Sequence, residues 1–264
     1  MAYGSYKSRT YEPGQQAAYR LSRSKIDAFV KCPRCFYLDQ RLGIKQPDTY
    51  PLTLNIAVDE LMKKEFDIHR AAGTAHPFMK SYGIDAVPLQ HDRMDEWRDA
   101  LRRGVETLHE PTNLSIRGGV DDIWVNPKGE FIVVDYKATS KADMANINLD
   151  GDLGAQYQRQ LEVYQWIIRR LGFAVSKTGY FVYVNGKKDA KAFDSKLEFD
   201  VKILPFDGET AWVEPTIHKI KECLESPDMP EAKETCEFCK YRMTAYRAEM
   251  AQIAKDKKKK EAPL

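Results

Sequence analysis

Helical periodicity marks the first hundred residues of the chain. Five apolar side chains recur at the three- and four-residue spacing of one helix face, which predicts a helix over 53–70. They are Leu54, Val58, Leu61, Met62 and Phe66. Gly73 lies just past this segment, where glycine commonly ends a helix. Shorter helices are expected over 24–30 and 92–103, so this part of the chain is predicted to be a helical region.

Strand-like patterns dominate the middle of the chain. Predicted strands cover 114–125, 131–138, 178–184 and the alternating apolar positions of 197–203, and predicted helices cover 155–171 and 207–224. The turn residues Asn126-Pro127-Lys128-Gly129 separate the first two strands and predict a hairpin. This order of elements predicts a mixed α/β sheet.

Three charged residues fall on the predicted hairpin. Side chains alternate between the faces of a strand, so Asp135 and Lys137 are expected to point the same way. If the hairpin brings Asp121 beside Asp135, two carboxylates and one ammonium share a small patch. Neighbouring carboxylates repel each other, and a hard divalent cation with oxygen ligands relieves the repulsion. The lysine can orient or activate a water, which is the equipment for metal-dependent phosphodiester hydrolysis.

These residues also carry a family resemblance. The G-x-x-D of Gly118–Asp121, followed by a hydrophobic strand and the D-x-K of Asp135–Lys137, resembles the PD-(D/E)XK nuclease superfamily. Three further segments are similar to its RecB-like and CRISPR-associated exonuclease branch. They are SKIDAFVKCPRCFYL at 24–38, QLEVY at 160–164 and CEFCKYR at 236–242. Each motif alone is weak, but together they follow the family order from about residue 22 to about residue 243.

The resemblance implies a fold and a domain plan. It implies an α/β, restriction-endonuclease-like mixed sheet with an αβββαβ core, one of whose strands is poorly defined here. A single nuclease-like domain is expected over 21–246, between a flexible segment at 1–20 and a basic tail at 247–264. Within that domain we expect a helical region over 21–110, the catalytic sheet core over 111–205 and a C-terminal helix with a cysteine module over 206–246.

The resemblance also implies an activity. It implies a Mg²⁺- or Mn²⁺-dependent deoxyribonuclease, an exonuclease or single-strand-acting enzyme of DNA repair, recombination or phage and CRISPR processing. DNA, as single strands or duplex ends, is the expected partner, with helicase or recombination proteins as candidate partners. Two other hypotheses remain: a nucleic-acid-binding module of the same fold with weak or lost activity, and a metal-clamped interaction protein whose D-x-K is accidental.

Several site residues follow from the resemblance. Asp121 and Asp135 are the expected metal ligands, with Asp122 as the alternative to Asp121. Lys137 is expected to act on the water. Gln160 and Tyr164 are four residues apart, so they share a helix face, and in the family such residues lie close to the metal. A competing pair is Gln156 and Tyr157, and Arg159 and Lys141 are candidates for phosphate contacts.

One position departs from the RecB-like pattern. Members of that branch often carry a metal-binding histidine in the N-terminal helical region, and Asp59 stands at the aligned position. Aspartate oxygen suits Mg²⁺, so Asp59 is a candidate third ligand; the other interpretation is a solvated helix residue. Glu60 and Glu65 are outside candidates. His69 and His76 are expected to be structural or exposed.

Four of the five cysteines form two C-x-x-C pairs, Cys32 with Cys35 and Cys236 with Cys239. Four thiolates suffice for a tetrahedral zinc ion or a [4Fe–4S] cluster. In the resembling exonucleases one N-terminal and three C-terminal cysteines hold an iron–sulfur cluster; here no cysteine follows Cys239, so Cys35 is the candidate replacement. We favour the cluster slightly over zinc, and unmetallated thiols remain the third option. Cys223 is expected to be a buried apolar residue.

Composition places few limits on these hypotheses. The chain of 264 residues is 43% hydrophobic and 30% charged, which is typical of a soluble globular protein. It has no apolar run long enough to span a bilayer, and residues 1–20 lack the apolar region of a signal peptide, so a cytoplasmic location is expected. The net charge of +2 predicts that any DNA-binding charge is local to a groove. The basic run 255–260 is expected to be a solvated disordered tail.

Overall fold

The computed structural model describes residues 10–47, 50 and 52–261. These divide into two compact units. The sheet unit comprises Ala17–Asp27 and Thr49–His218, and the cysteine unit comprises Met1–Gln16, Ala28–Asp48 and Lys219–Leu264. Of the expected flexible segment at 1–20, residues 1–9 lie outside the described residues. In the part of the chain that the structure describes, no helix combines the length and apolar character that crossing a bilayer requires.

The helices and strands follow in one order along the chain. They are β1 Tyr19–Ser22, α1 Arg23–Lys31, α2 Pro33–Gln40, α3 Thr53–Ala72, α4 Pro77–Ser81, β2 Val87–Pro88, α5 Met94–Arg98, β3 Val105–His109, β4 Leu114–Gly118, β5 Asp122–Val125, β6 Phe131–Thr139, α6 Gly151–Arg170, β7 Thr178–Gly186, β8 Phe199–Asp207, α7 Val213–Glu225 and α8 Glu237–Glu261. Helices α1 and α7 each have residues in both units. The expected mixed α/β fold of the restriction-endonuclease type is therefore confirmed.

A five-stranded mixed sheet, in the order β2-β5-β6-β7-β8, forms the centre of the sheet unit. Strands β5 and β6 are antiparallel neighbours, as the predicted hairpin requires. Strands β6 and β7 are parallel, and α6 lies between them in sequence, because parallel neighbours need a long crossover connection. This topology places the end of β6, with its D-x-K sequence, in the middle of the sheet.

Helices α3 and α6 contribute buried apolar residues beside this sheet. On the α3 side, Phe66 stacks on Trp124 of β5 with ring centroids 5.5 Å apart, and it also contacts Tyr136 of β6. On the α6 side, Leu161 lies so close to Gly179 of β7 that a Cβ there would approach its methyl groups to 2.8 Å. Successive side chains of β6 therefore face different helices, which directs Asp135 and Lys137 to the same side.

The predicted strand at 114–125 is two strands in two different sheets. Strand β4 joins the three-stranded sheet β1-β4-β3, whereas β5 joins the five-stranded sheet. The break falls at Gly118 and Gly119. A Cβ on Gly119 would lie 2.5 Å from the Cβ of Ala100 and 2.7 Å from its Cα, so only glycine allows the chain to pass there. The residues between the strands, including Asp121, form the connecting turn.

Other predicted elements match with shifted ends. Helix α3 covers the predicted 53–70 and ends at Gly73, which has the left-handed backbone that glycine favours (φ 63°). The predicted helix at 92–103 is shorter, because α5 ends at Arg98 and the Asp99 side chain accepts a hydrogen bond from the Arg102 amide in a turn. Helix α8 runs to Glu261, so the described part of the expected basic tail is helical, in keeping with its alanine- and lysine-rich sequence.

Candidate active site

Asp135 and Lys137 lie on β6 with their side chains in contact. The Lys137 ammonium contacts Asp135 Oδ2, and the Asp135 side chain is almost completely buried. Gln160 of α6 donates to Asp135 Oδ1 from Nε2 at 2.7 Å. The Lys137 ammonium also lies 4.5 Å from the ring centroid of Tyr157, a cation–π distance. Both charged groups are thus held in one orientation by neighbours on α6.

Asp121 reaches the same place from the turn before β5. Its Oδ2 accepts a hydrogen bond from the backbone N–H of Tyr136, the residue between Asp135 and Lys137, at 2.9 Å. Its Oδ1 lies 3.7 Å from the ammonium of Lys63 on α3. The predicted hairpin therefore brings Asp121 alongside the D-x-K strand, and its side chain remains partly exposed (23%).

Asp59 approaches from α3. The Lys63 ammonium donates to its Oδ2 at 2.6 Å and so stands between Asp59 and Asp121. Asn55, one turn earlier, donates to the carbonyl oxygen of Ala138 at 3.1 Å and fixes this end of α3 beside β6. A positive side chain thus already lies where the two carboxylates converge, which is the position that a cation would favour.

Tyr164 closes the back of the site. Its ring lies against Gly118, where a Cβ would approach the ring to 2.6 Å, so glycine at the first position of G-x-x-D makes room for tyrosine at the last position of Q-x-x-x-Y. The guanidinium of Arg23 lies 5.9 Å from the same ring centroid. Gly118 and Tyr164 are 46 positions apart in the sequence, and their packing contact therefore joins the two motifs.

Burial and the neighbouring carboxylates shift the pKa values of the charged groups at the site. Burial, with Asp121 nearby, raises the pKa of Asp135 to about 7, although Lys137 acts in the opposite direction. Burial and Asp121 likewise raise the pKa of Asp59. Burial alone would lower the pKa of Lys137, but Asp135 and Asp121 outweigh it and raise the pKa, so the ammonium keeps its proton. These shifts indicate a site that an additional cation would stabilise.

An open cleft gives access to these groups. It has a volume of about 540 Å³, and Asp59, Asp121, Lys137 and Gln160 line one part of it. Apolar and aromatic side chains line much of the remainder. They are Tyr50, Leu52, Ile56, Val58, Tyr136, Ala138, Tyr157 and Val184. The acidic groups are therefore reachable by a ligand much larger than water.

Asp122, the alternative to Asp121, has a different environment. Its side chain is completely buried and its Oδ1 is bound by the guanidinium groups of Arg70 and Arg98. Its Oδ2 accepts from the Tyr136 hydroxyl at 2.7 Å and from Trp124 Nε1 at 3.3 Å. Asp122 is thus surrounded by donors in the interior, and it is Asp121 that faces the cleft.

Comparison with known proteins identifies the family of the chain. The sequence profile of the PD-(D/E)XK nuclease superfamily matches residues 20–244. The chain belongs to this superfamily. A search of curated proteins found no match. The crystal structure of SSO0001 aligns with a TM-score of 0.36 at 14% identity, covering 82% of this chain and 81% of that one.

The other residues singled out in the sequence have structural contacts of their own. Arg159 is paired with Asp27 at 2.7 Å, and Lys141 donates to the carbonyl oxygen of Asn146 at 2.8 Å. His76 is buried, accepts from the Phe78 amide through Nδ1 and contacts Glu65 through Nε2 at 2.8 Å. Of the competing pair at 156–157, the tyrosine lines the cleft and its ring contacts Lys137.

Lys63, Asn55 and Arg23 also lie at the site, although none of them was predicted from the sequence. Lys63 follows Asp59 by four residues, so a charge pair on one helix face was readable from the sequence. Its additional contact with Asp121 depends on the tertiary fold and could not be read from the sequence. Asn55 begins the stretch that aligns with the histidine-bearing pattern and Arg23 precedes the segment 24–38, but neither was predicted to line the cleft.

The four cysteines of the two C-x-x-C pairs form a second cluster, within the cysteine unit. The Sγ atoms of Cys35 and Cys236, and those of Cys35 and Cys239, are 3.5 Å apart, and those of Cys32 and Cys239 are 3.9 Å apart. All four ligand atoms lie within 4.8 Å of one another. Burial acts to raise the pKa of Cys32, but hydrogen bonds from the backbone outweigh it and lower the pKa to about 7, whereas burial raises the pKa of Cys35 and of Cys239. Cys223 lies outside this cluster, and burial raises its pKa to about 11.

Proposed function

We propose that this protein is a metal-dependent deoxyribonuclease that hydrolyses phosphodiester bonds at the cleft. The observation that supports this most strongly is the convergence of Asp121, buried Asp135 and Lys137 beside an open cleft of the sheet unit, which Asp121 and Lys137 line. Membership of the nuclease superfamily supports the hydrolytic class. The choice of DNA, of Mg²⁺ or Mn²⁺ and of the RecB-like branch rests on the motif resemblance and the oxygen-rich ligand set.

The proposal gives each residue a role. Asp121 and Asp135 would hold the divalent ion, with Asp59 as third ligand once Lys63 moves aside. When bound, such an ion polarises a phosphate oxygen and lowers the pKa of a coordinated water. Lys137, kept protonated by the two carboxylates, donates hydrogen bonds that orient the attacking water and stabilise charge on the phosphate. Gln160 keeps Asp135 in position through its 2.7 Å hydrogen bond.

The lining of the cleft supports a single-stranded substrate. Tyr50, Leu52 and Ile56 are exposed by 94%, 68% and 51% beside the carboxylates. Unpaired bases stack on aromatic and apolar surfaces, whereas a duplex presents mainly its phosphates. We therefore propose that the enzyme cuts single strands or frayed duplex ends, as an exonuclease or single-strand-specific nuclease of DNA repair, recombination or phage and CRISPR processing.

Cleavage of labelled DNA with and without metal tests this function. Single-stranded and duplex DNA, and a single-stranded RNA of the same sequence, are incubated with Mg²⁺ or Mn²⁺, and chelator is added to a parallel sample. We expect metal-dependent cleavage of single-stranded DNA and loss of cleavage in Asp135→Asn and Lys137→Met, with unchanged activity in Lys128→Ala, an exposed turn residue. Cleavage that persists in either site variant would refute the assignment.

A nucleic-acid-binding module with weak or lost activity is the second candidate function. The pairing of Lys63 with both Asp59 and Asp121 favours it, because the ammonium competes with a metal for those oxygens. In that case the protein retains binding of single-stranded DNA in a mobility-shift assay while no metal supports cleavage. Activity in Lys63→Gln alone would identify this ion pair as the cause.

We further propose that the four-cysteine cluster holds a metal centre. Zinc–sulfur bonds of about 2.3 Å in a tetrahedron place neighbouring sulfurs about 3.8 Å apart. Three sulfur pairs lie 3.5–3.9 Å apart and all four sulfurs lie within 4.8 Å of one another. These separations support a single tetrahedral ion over a [4Fe–4S] cluster, in which each thiolate binds a different iron and the sulfurs lie farther apart. Elemental analysis of protein purified without oxygen decides between them: one zinc per chain supports the ion, and four irons with a brown colour support the cluster.

A further inference from the structure

A buried histidine lies at the end of β3, outside the nuclease cleft. His109 has no solvent exposure, and its two ring nitrogens each meet one oxygen. Nδ1 lies 2.7 Å from the Thr112 hydroxyl and Nε2 lies 2.6 Å from Glu214 Oε1. The ring of His218, one turn after Glu214 on α7, stands edge-on to His109 with centroids 5.1 Å apart. All four residues belong to the sheet unit.

The contacts of His109 suit two tautomers. If Nε2 carries the proton, it donates to Glu214, and the Thr112 hydroxyl donates to Nδ1. If Nδ1 carries the proton, it donates to the Thr112 hydroxyl, which donates in turn to the His109 carbonyl oxygen at 3.4 Å. Nε2 then presents a lone pair beside the Glu214 carboxylate, and a metal ion bound by both groups would select this second tautomer.

Glu214 and His218 supply what a metal ion needs at this position. Glu214 Oε1 already lies 2.6 Å from His109 Nε2, so a carboxylate oxygen is available at this position. His218 is exposed, so an ion can enter from solvent. Ligand atoms of His109, Glu214 and His218 all lie within 4.8 Å of one another. Two imidazoles and one carboxylate are a ligand set that zinc uses in proteins.

We propose that His109, Glu214 and His218 form a second metal site, which takes a divalent transition ion of the zinc class. Imidazole nitrogen excludes Mg²⁺ and Ca²⁺ as the preferred ions, because these prefer oxygen ligands. The Thr112 hydroxyl serves as the outer partner that orients His109, as ligating histidines usually require. The ion would join the first turns of α7 to the end of β3, and water would complete its coordination. This site is independent of the nuclease proposal and of the four cysteines.

Histidine NMR tests the site directly. The chain has five histidines, and ¹⁵N labelling of histidine alone resolves the tautomer and ligation state of each ring. Signals are assigned with single His→Gln variants. With two equivalents of Zn²⁺, which also fill the cysteine cluster, we expect the ring nitrogens of His109 and His218 to shift and those of His69, His76 and His91 to remain. Unchanged His109 and His218 signals at tenfold excess Zn²⁺ would overturn the proposal, as would a doubly protonated His109 in the presence of zinc.

A thermal denaturation series gives a second readout. Zinc that binds at this site, at a concentration a hundredfold above its dissociation constant, should raise the midpoint temperature of thermal unfolding by about 5–10 °C. His218→Gln and Glu214→Gln should each lose that increment, whereas Glu222→Gln, an exposed carboxylate on the same helix, should keep it. The cysteine cluster is intact in all three variants, so its contribution cancels. An equal zinc-induced shift in wild type and His218→Gln would count against the site.

Discussion

Replacing Asp122 with asparagine tests the separation of roles between two adjacent aspartates. The Asp122 carboxylate is fully buried and is the counter-charge of Arg70 and Arg98, whose side chains are 11% and 9% exposed. Asp122→Asn removes that charge. In either orientation of the new amide, its NH2 group faces a hydrogen-bond donor, because Oδ1 and Oδ2 of Asp122 both accept hydrogen bonds. The expected consequence is a folded state with two partly compensated buried guanidinium groups.

The magnitude follows from the remaining partners. Removing one member of a buried ion pair typically costs about 3–5 kcal/mol. Asp67 still binds both arginines, at 2.9 Å and 2.8 Å, so we expect the lower end, about 3 kcal/mol. For a chain of this size, that loss of stability lowers the midpoint temperature of thermal unfolding by about 6–12 °C. Asp121→Asn, whose side chain is partly exposed and whose oxygen can still accept from Tyr136 N–H, should change the stability by less than about 1 kcal/mol.

Urea or thermal denaturation of both variants, with cleavage assayed at a temperature where each is folded, checks the prediction. Asp122→Asn should be unstable but still cut DNA, whereas Asp121→Asn should be stable and inactive. If the two variants lost stability equally, or if Asp122→Asn were as stable as wild type, the assignment of Asp122 to the interior and Asp121 to the cleft would be wrong.

Three further predictions follow from single contacts. Gly118→Ala should displace the Tyr164 ring, since the added methyl would lie 2.6 Å from it; we expect at least a tenfold loss of cleavage, and Tyr164→Leu should partly restore it in the double variant. Asp59→Asn should raise the Mg²⁺ concentration for half-maximal cleavage about tenfold or more if Asp59 is a ligand; an unchanged value would make it only the partner of Lys63. Burial acts to raise the pKa of Asp67, but its two arginine partners outweigh it and lower the pKa, so stability should be lost as the pH falls below about 4. Asp67→Asn should reduce this loss when the free energy of unfolding is measured by urea titration between pH 5 and pH 3. An unchanged dependence of that free energy on pH would contradict the prediction.

The parts of the site that the sequence predicts are those encoded by short spacings. Asp135 and Lys137 share a face because strand side chains alternate, and this needs no knowledge of the rest of the fold. The choice between Asp121 and Asp122 is different, since neither spacing nor composition reveals that two arginines from α3 and α5 bind the second carboxylate. The contact of Lys63 with Asp121 likewise depends on tertiary packing.

The same distinction applies to the fold. The predicted hairpin and the helix at 53–70 follow from local periodicity and turn chemistry. The single predicted strand at 114–125 is instead two strands, because the close approach of Ala100 to Gly119 comes from a residue nineteen positions earlier by numbering. The His109 cluster also escaped the sequence analysis, because its ligands lie more than a hundred positions apart, on β3 and α7.

The four-cysteine cluster has a consequence for how the protein is made. Cys35 and Cys236 meet although 201 positions separate them, so the second half of the cluster leaves the ribosome well after the first half. Loop closure over such a distance adds only about 0.6 kcal/mol for each doubling of length, so the late assembly is not thermodynamically prohibitive. A polypeptide interrupted before Cys236 carries only two of the four cluster thiols, Cys32 and Cys35. Metal content would therefore report whether a given molecule was synthesised through that point.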